Sequence, residues 1–356
     1  VDKNQKMKNV KHILILTPGF PVDENDSACI PPLQDFLLHF KSRFDNTEFS
    51  IIAFQYPFDK SFYKWNDISV YSLRGRNLKR DKIFVWDSAL TIAKYLAEKN
   101  KVDVVHSLWF GECALIGNKI ASRYKVKHIC TLMGQDVSKK NLYLRMLNKK
   151  KMKIVALSYN QKELFKKLTK YDVDEKIFWG VLSQKYDRES KRDIDLIGVG
   201  SLIPLKNFKL MIKTIAVLKK EFPAINCKLI GTGNQFEALK KLCKEHSLES
   251  NIEFLGSQSR ENVFKYMKRS KILFHPSLFE GSGMVFAEAL ANGTHIVSFN
   301  VGYAQINPKW KIASNENEMI ENVKTLLTSK LDHQPLNLFP IENTVESYAK
   351  LYGIIN

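Results

Sequence analysis

Cysteine is scarce in this chain and follows no pattern. The five present, Cys29, Cys113, Cys130, Cys227 and Cys243, are odd in number and form no C-x-x-C pair. That argues against a disulfide framework or a paired-cysteine metal site and predicts reduced thiols in a reducing compartment. No stretch approaches the ~18 consecutive apolar residues that a membrane span requires. The apolar run nearest the start, His12 to Leu16, is shorter than a signal-peptide core. A cytoplasmic protein is therefore expected. Internal repeats and low-complexity tracts are missing too, which sets aside solenoid and fibrous architectures. Acidic residues are in deficit, 37 against 55 Lys and Arg, for a formal net charge of +18.

What is present fits two folded domains. With 356 residues and a prior of about 100–200 residues per domain, each half can bury its own core. The hydrophobic share of 44% and charged share of 26% are those of a water-soluble globular chain. Strand-like and helix-like segments alternate throughout, which implies α/β architecture with parallel sheets. Strands are expected near 12–17, 48–54, 102–106, 127–132, 153–157 and 177–180, then near 194–200, 227–231, 252–255, 271–275 and 294–299. The stretch 55–85 shows no clean period and reads as an extended loop. Ser183 to Asp193 is polar and highly charged, so the boundary is placed there. This gives domains at 1–185 and 186–340, followed by an amphipathic segment at 341–356.

The positive charge is uneven. Residues 1–190 carry 34 basic and 21 acidic residues, and the excess peaks at Lys139 to Lys170, where eleven basic residues face Glu163 alone. Leu142, Tyr143, Met146 and Leu147 are interleaved with them. This pattern suits a basic amphipathic surface helix on an anionic membrane surface, which would make the protein peripheral on the inner face. A solvated lysine-rich face fits equally. Nucleic acid is disfavoured as a partner because no nucleic-acid motif accompanies the charge.

The most informative segment runs from Pro276 to Gly293, Pro-Ser-Leu-Phe-Glu-Gly-Ser-Gly-Met-Val-Phe-Ala-Glu-Ala-Leu-Ala-Asn-Gly. Lys271 to His275 reads as a buried strand ended by Pro276, so Glu280 falls in the loop at the strand's carboxyl end, where open α/β sheets bind ligands. Gly281 and Gly283 allow close backbone approach, and a helix from about Met284 directs its free N–H groups at an anion. Glu288 lies one turn inside that helix, able to accept from vicinal hydroxyls. Gly293 stops it. Upstream, Gly200-Ser201-Leu202-Ile203-Pro204-Leu205-Lys206-Asn207 follows a strand and opens a helix. Leu229-Ile230-Gly231-Thr232-Gly233-Asn234 is a strand-to-helix glycine turn, and Ile252-Glu253-Phe254-Leu255-Gly256 is a strand end.

In these segments the chain resembles the retaining glycosyltransferases of family 4, also called group 1 glycosyl transferases. Their signature is a glutamate, seven residues, and a second glutamate before a small-apolar-Ala-x-Gly run. The resemblance covers about residues 195–300. It implies the GT-B fold, two Rossmann-like domains with parallel sheets facing a central cleft, the last helix crossing back to the N-terminal domain. It implies a nucleotide sugar donor, a glycan or lipid-linked acceptor, and no metal or other cofactor. By resemblance Lys206 stabilises the leaving diphosphate and Glu280 holds donor-sugar hydroxyls. The amides of Gly283, Met284 and Val285 meet the diphosphate, Glu288 takes the ribose, and Ser201, Gly231 and Phe254 complete the donor side. Ser201 stands where many relatives have arginine, and Met133 where the family usually has histidine. His106 and Asp136 are expected to supply polar contacts in its place, His106 catalytically, with Gly19 on the acceptor side.

The expected reaction is transfer of a sugar to a hydroxyl acceptor with retention, in cell-surface polysaccharide or glycolipid assembly. The departures at Ser201 and Met133 leave two other functions open: a nucleotide-sugar-binding protein without transferase activity, and a GT-B sugar-nucleotide epimerase. Asp172-Val-Asp174 and Asp193-Ile-Asp195 could suggest a D-x-D metal site, but neither has supporting ligands nearby in the sequence.

Overall fold

Short runs of β-branched and aromatic residues bounded by turn residues build two sheets, each in its own unit. The computed structural model describes residues 12–185 and 191–356. Backbone contacts divide the chain into Val1–Gly180 with Ile341–Asn356, and Val181–Pro340. The expected boundary at 185/186 adjoins residues 186–190, which lie outside the described residues.

The first unit holds eight strands: β1 (His12–Gly19), β2 (Glu48–Tyr56), β3 (Phe62–Trp65), β4 (Ile68–Ser72), β5 (Val104–Leu108), β6 (Lys127–Thr131), β7 (Lys153–Ala156) and β8 (Glu175–Lys176). Their order is β3-β4-β2-β1-β5-β6-β7-β8, and every neighbouring pair is parallel except β3 with β4. Ile13, Leu14, Ile15 and Leu16 of β1 are all fully buried, as a parallel strand covered on both faces must be. The helix Ile341–Tyr352 belongs to this unit. Its Tyr348 and Tyr352 are buried among aromatic rings, with Phe36 edge-on to Tyr348 and Phe40 tilted against Tyr352.

The second unit holds β9 (Ile194–Val199), β10 (Cys227–Ile230), β11 (Ile252–Gly256), β12 (Ser270–His275), β13 (His295–Phe299) and β14 (Trp310–Ala313). All neighbours are parallel in the order β11-β10-β9-β12-β13-β14. Counted from its first strand this is 3-2-1-4-5-6, the doubly wound dinucleotide-binding order whose direction reverses between β9 and β12. Phe208, Met211 and Ile215 from one helix and Met319 and Val323 from another share a core with Leu196, Phe274 and Val297 of the strands. The two mostly parallel α/β sheets are those of the expected fold class.

Three expectations are corrected. Residues 55–85 are not one extended loop, because β3 and β4 form an antiparallel hairpin. Asn66 and Asp67 both have positive φ, 44° and 63°, as a two-residue type I′ turn demands. The last predicted strand of the first domain, 177–180, lies instead at Glu175–Lys176. The basic segment 139–170 is not one amphipathic helix. It comprises a single turn at Tyr143–Met146, a 3₁₀ turn at Lys149–Lys151, strand β7 and the helix Tyr159–Thr169. Leu142 and Met146 are exposed, but Leu147 is buried. No helix among the described residues is long and apolar enough to cross a membrane.

Candidate functional site

The loops after β9 and β12 flank the point where the second sheet reverses direction. They are tied together by backbone: Leu278 N–H donates to the Leu205 carbonyl at 2.9 Å, and Ser277 Oγ donates to the same oxygen at 3.3 Å. Lys206, ending the 3₁₀ turn Pro204–Lys206, thereby meets Glu280, 74 residues away in sequence, and their side chains form an ion pair between Lys206 Nζ and Glu280 Oε1. Both are largely buried, with 19% and 11% of their side chains exposed.

A third side chain completes the group. His275, the last residue of β12, is fully buried, and its Nε2 lies 2.7 Å from Glu280 Oε1. Facing a carboxylate, Nε2 is the nitrogen that carries the proton. Burial lowers the His275 pKa, more than the carboxylate raises it, so the ring is a neutral donor. For Glu280, burial favours the neutral acid, but the His275 hydrogen bond and the Lys206 ammonium outweigh it and hold the carboxyl well below its usual range. Phe286 packs edge-on against the imidazole at 4.8 Å and fixes its plane.

The backbone around these side chains is close-fitting. Gly283 caps the helix Met284–Ala291 with φ 72°, a left-handed conformation that suits glycine, and leaves the amides of Met284 and Val285 at the helix N-terminus. Gly231 has φ 140°, and a Cβ there would lie 1.9 Å from the Gly200 carbonyl oxygen, so no other residue fits between the turns after β9 and β10. Gly200 N–H donates to Ile230 O at 3.0 Å and Gly231 N–H to Gly256 O at 2.8 Å, lacing three strand ends together. Ser201 is exposed on this edge. Phe254 instead turns its ring inward, edge-on to Phe236 at 5.7 Å, leaving only its backbone for the edge.

Glu288 sits on the same helix as Met284, paired through Oε1 with Arg260 Nε and Nη2, both at 3.3 Å. Arg260 opens the helix that follows β11. The second unit thus gathers Lys206, Glu280, His275, Glu288 and Arg260 around a helix N-terminus, two acids each matched by a cation. Such a site offers hydroxyl acceptors, exchangeable cations and free amides to an anionic, hydroxylated ligand.

The residues assigned to the first unit behave differently. His106 is fully buried on β5, with Nδ1 2.7 Å from Tyr352 Oη and Nε2 2.8 Å from Thr131 Oγ1. With both ring nitrogens engaged inside the protein it cannot touch a substrate, and the catalytic expectation for it is corrected to a structural one. Asp136 accepts from the amides of Phe110 at 2.7 Å, Met133 at 3.1 Å and Gly134 at 2.7 Å, so its carboxylate shapes the loop after β6. Gly19 is buried at the end of β1 against Cys29 and Tyr56. The four D-x-D carboxylates are all ion-paired: Asp172 with Lys166, Asp174 with Lys153, Asp193 with Arg269 and Asp195 with Lys271.

His275 and Arg260 were absent from the expected site. A histidine closing an otherwise apolar strand directly before Pro276 was the available signal for His275. Arg260 gives none in sequence, since its partnership with Glu288 arises only from the packing of two helices.

The fold is that of the GT-B glycosyltransferases. Residues 183–331 match the family described as Glycosyl transferases group 1. It is 25% identical over 287 residues to an uncharacterised glycosyltransferase of Methanocaldococcus jannaschii, covering 78% of each chain. The capsular polysaccharide biosynthesis glycosyltransferase CapH of Staphylococcus aureus is also 25% identical, over 72% of this chain and 78% of its own. Among solved structures, Anabaena HepE in complex with UDP and glucose superposes with a TM-score of 0.72 at 14% identity, covering 96% of this chain and 99% of its own.

Proposed function

We propose that this glycosyltransferase belongs to family 4 and moves a sugar from a nucleotide diphosphate sugar to a hydroxyl acceptor with retention of configuration and without a metal, in polysaccharide or glycolipid assembly. The observation that carries this reading is the meeting of Lys206 and Glu280 at the reversal point of the second sheet, beside the helix N-terminus at Gly283. In this reading the entering diphosphate takes over Lys206 and the amides of Met284 and Val285, while Glu280, released from the ion pair but still held by His275, accepts from donor-sugar hydroxyls. Glu288, steered by Arg260, takes the ribose hydroxyls. As the sugar–phosphate bond breaks, negative charge grows on the departing oxygen, and the fixed Lys206 ammonium stabilises it more than it does the bound donor. The acceptor oxygen bonds to the anomeric carbon on the face that the diphosphate leaves. Its proton passes to a departing phosphate oxygen, so no protein base is consumed. The loss of His106 as a catalytic group is compatible with that route.

UDP-sugars are the donors to test first, since HepE was crystallised with UDP and glucose. Lys206→Ala and Glu280→Gln are each expected to lower nucleotide release with an acceptor by about 10²–10³-fold, while the fold persists by circular dichroism. Near-wild-type release by both variants sinks the assignment. Nucleotide-sugar binding without release would favour the binding-protein reading, and isomerised donor without transfer the epimerase.

A further inference from the structure

The two members of the Lys206–Glu280 ion pair are held unequally. Glu280 has a second anchor, since its Oε1 also accepts from His275 Nε2 at 2.7 Å. Two glycines wall in the root of its side chain: a Cβ on Gly302 would lie 2.9 Å from Glu280 Cβ, and one on Gly283 would lie 3.5 Å from it. Lys206 Nζ has no hydrogen-bond partner but Glu280 among the described residues, and its stem runs past Gly200, with Cε 3.7 Å and Cδ 3.9 Å from where a Cβ there would stand. Glu280 is the fixed member and Lys206 the movable one.

That inequality sets two ligands against one pair. The amides of Met284 and Val285 open a helix whose Gly283 cap brings no side-chain acceptor, so they favour an anion. A diphosphate that takes these amides competes with Glu280 for the Lys206 ammonium. Bound alone, it leaves Glu280, with 11% of its side chain exposed, without its cation, and a largely buried charge that loses its partner is costly. A sugar bound alone meets a carboxylate already neutralised by Lys206, which is the weaker acceptor for its hydroxyls. Together the two ligands satisfy every group: the diphosphate matches Lys206 and the amides, and the hydroxyls match Glu280.

We infer that the Lys206–Glu280 pair is an autoinhibitory latch that makes diphosphate and sugar bind cooperatively, the diphosphate opening the sugar half of the site. The inference rests on the reading that these two ligands meet at this pair, and it concerns binding with no acceptor and no reaction. A free monosaccharide is thereby kept out until a diphosphate is bound. Coupling is reciprocal, so the sugar tightens diphosphate binding by the same factor. The nucleoside has no part in the latch. Inorganic pyrophosphate therefore opens it, and uridine does not.

The test is a saturation-transfer NMR titration of the full chain with glucose, N-acetylglucosamine, galactose and mannose, each alone and with UDP, inorganic pyrophosphate or uridine. At least one sugar is expected to bind about fivefold tighter or more with UDP and with pyrophosphate, and no tighter with uridine. Lys206→Met removes the latch, so sugar binding should lose its dependence on diphosphate. Glu280→Gln removes the competitor for Lys206. Calorimetry should then show pyrophosphate bound at least as tightly as by wild type, with no enhancement of sugar binding. If Lys206→Met does not fold, the isosteric Glu280→Gln carries the test. Sugar binding equal with and without diphosphate, an equal effect of uridine, or weaker pyrophosphate binding by Glu280→Gln overturns the latch. Slowed transfer by the Lys206 and Glu280 variants without any coupling in wild type sinks the latch alone, whereas undiminished transfer by them sinks the reading on which it rests.

Discussion

Glu280 is the residue on which the donor site turns, and its neighbour His275 decides what it can do. The imidazole is a neutral, buried donor to Glu280 Oε1 at 2.7 Å. The Glu280 pKa is depressed in the folded state, so the pairing contributes stability above the ordinary carboxylate range and loses it as pH falls through the folded value. Removing the donor moves that loss upward. His275→Ala is therefore expected to shift the acidic limb of the pH profile of kcat/KM to higher pH, and His275→Gln, which keeps an N–H donor, to restore part of the shift. A variant that lowers activity evenly at every pH would show that His275 only packs. Sequence alone named Glu280 because the loop–helix–glycine pattern around it is dense. It left out His275 because a histidine ending an apolar strand looks the same whether it fills a core or holds a carboxylate.

Among the elements, the helix Ile341–Tyr352 does most to order the first unit. Tyr348 Oη lies 2.7 Å from Thr131 Oγ1 and accepts from Trp179 Nε1 at 3.1 Å, while Tyr352 Oη meets His106 at 2.7 Å. All five groups are buried, so each hydroxyl satisfies a polar atom that water cannot reach. Tyr352→Phe strips His106 of one partner and is expected to cost about 1–3 kcal/mol, read from the urea midpoint. A midpoint unchanged from wild type would mean the hydroxyl is dispensable. The helix itself was legible as an amphipathic run, and the parallel strands as apolar segments between turns. The hairpin β3–β4 was hidden, because its strands are only four and five residues long and its turn lies in two polar residues of positive φ without a glycine. The basic segment was legible in part: β7 was expected within it at 153–157, but the stretch before it, read as a basic amphipathic helix, holds only the turn Tyr143–Met146 and a 3₁₀ turn.

Over the whole molecule, histidine chemistry links stability to pH. Burial is the foremost cause lowering the pKa of His12, His106 and His128 in the first unit and of His275, His295 and His333 in the second. Both His106 and His128 are pushed down to about 3. Below pH ~6.5 the unfolded chain therefore binds protons that the folded one refuses, and stability falls as pH falls. The surplus of positive charge, +18 at neutral pH, adds repulsion in the same direction. The unfolding temperature is expected to drop progressively from pH 7.5 to pH 5 in both units, monitored by calorimetry. A flat profile over that range would contradict buried neutral histidines.

The placement of Ile341–Tyr352 also sets an order of events during synthesis. Residues 12–180 reach the ribosome exit before any of the second unit, yet the hydroxyls that satisfy His106, Thr131 and Trp179 come from residues made after Pro340. The second unit is one uninterrupted stretch and can close as it emerges. The first must wait, its polar groups still open, until Ile341–Asn356 has emerged. Of the two units, the one begun first is thus completed second.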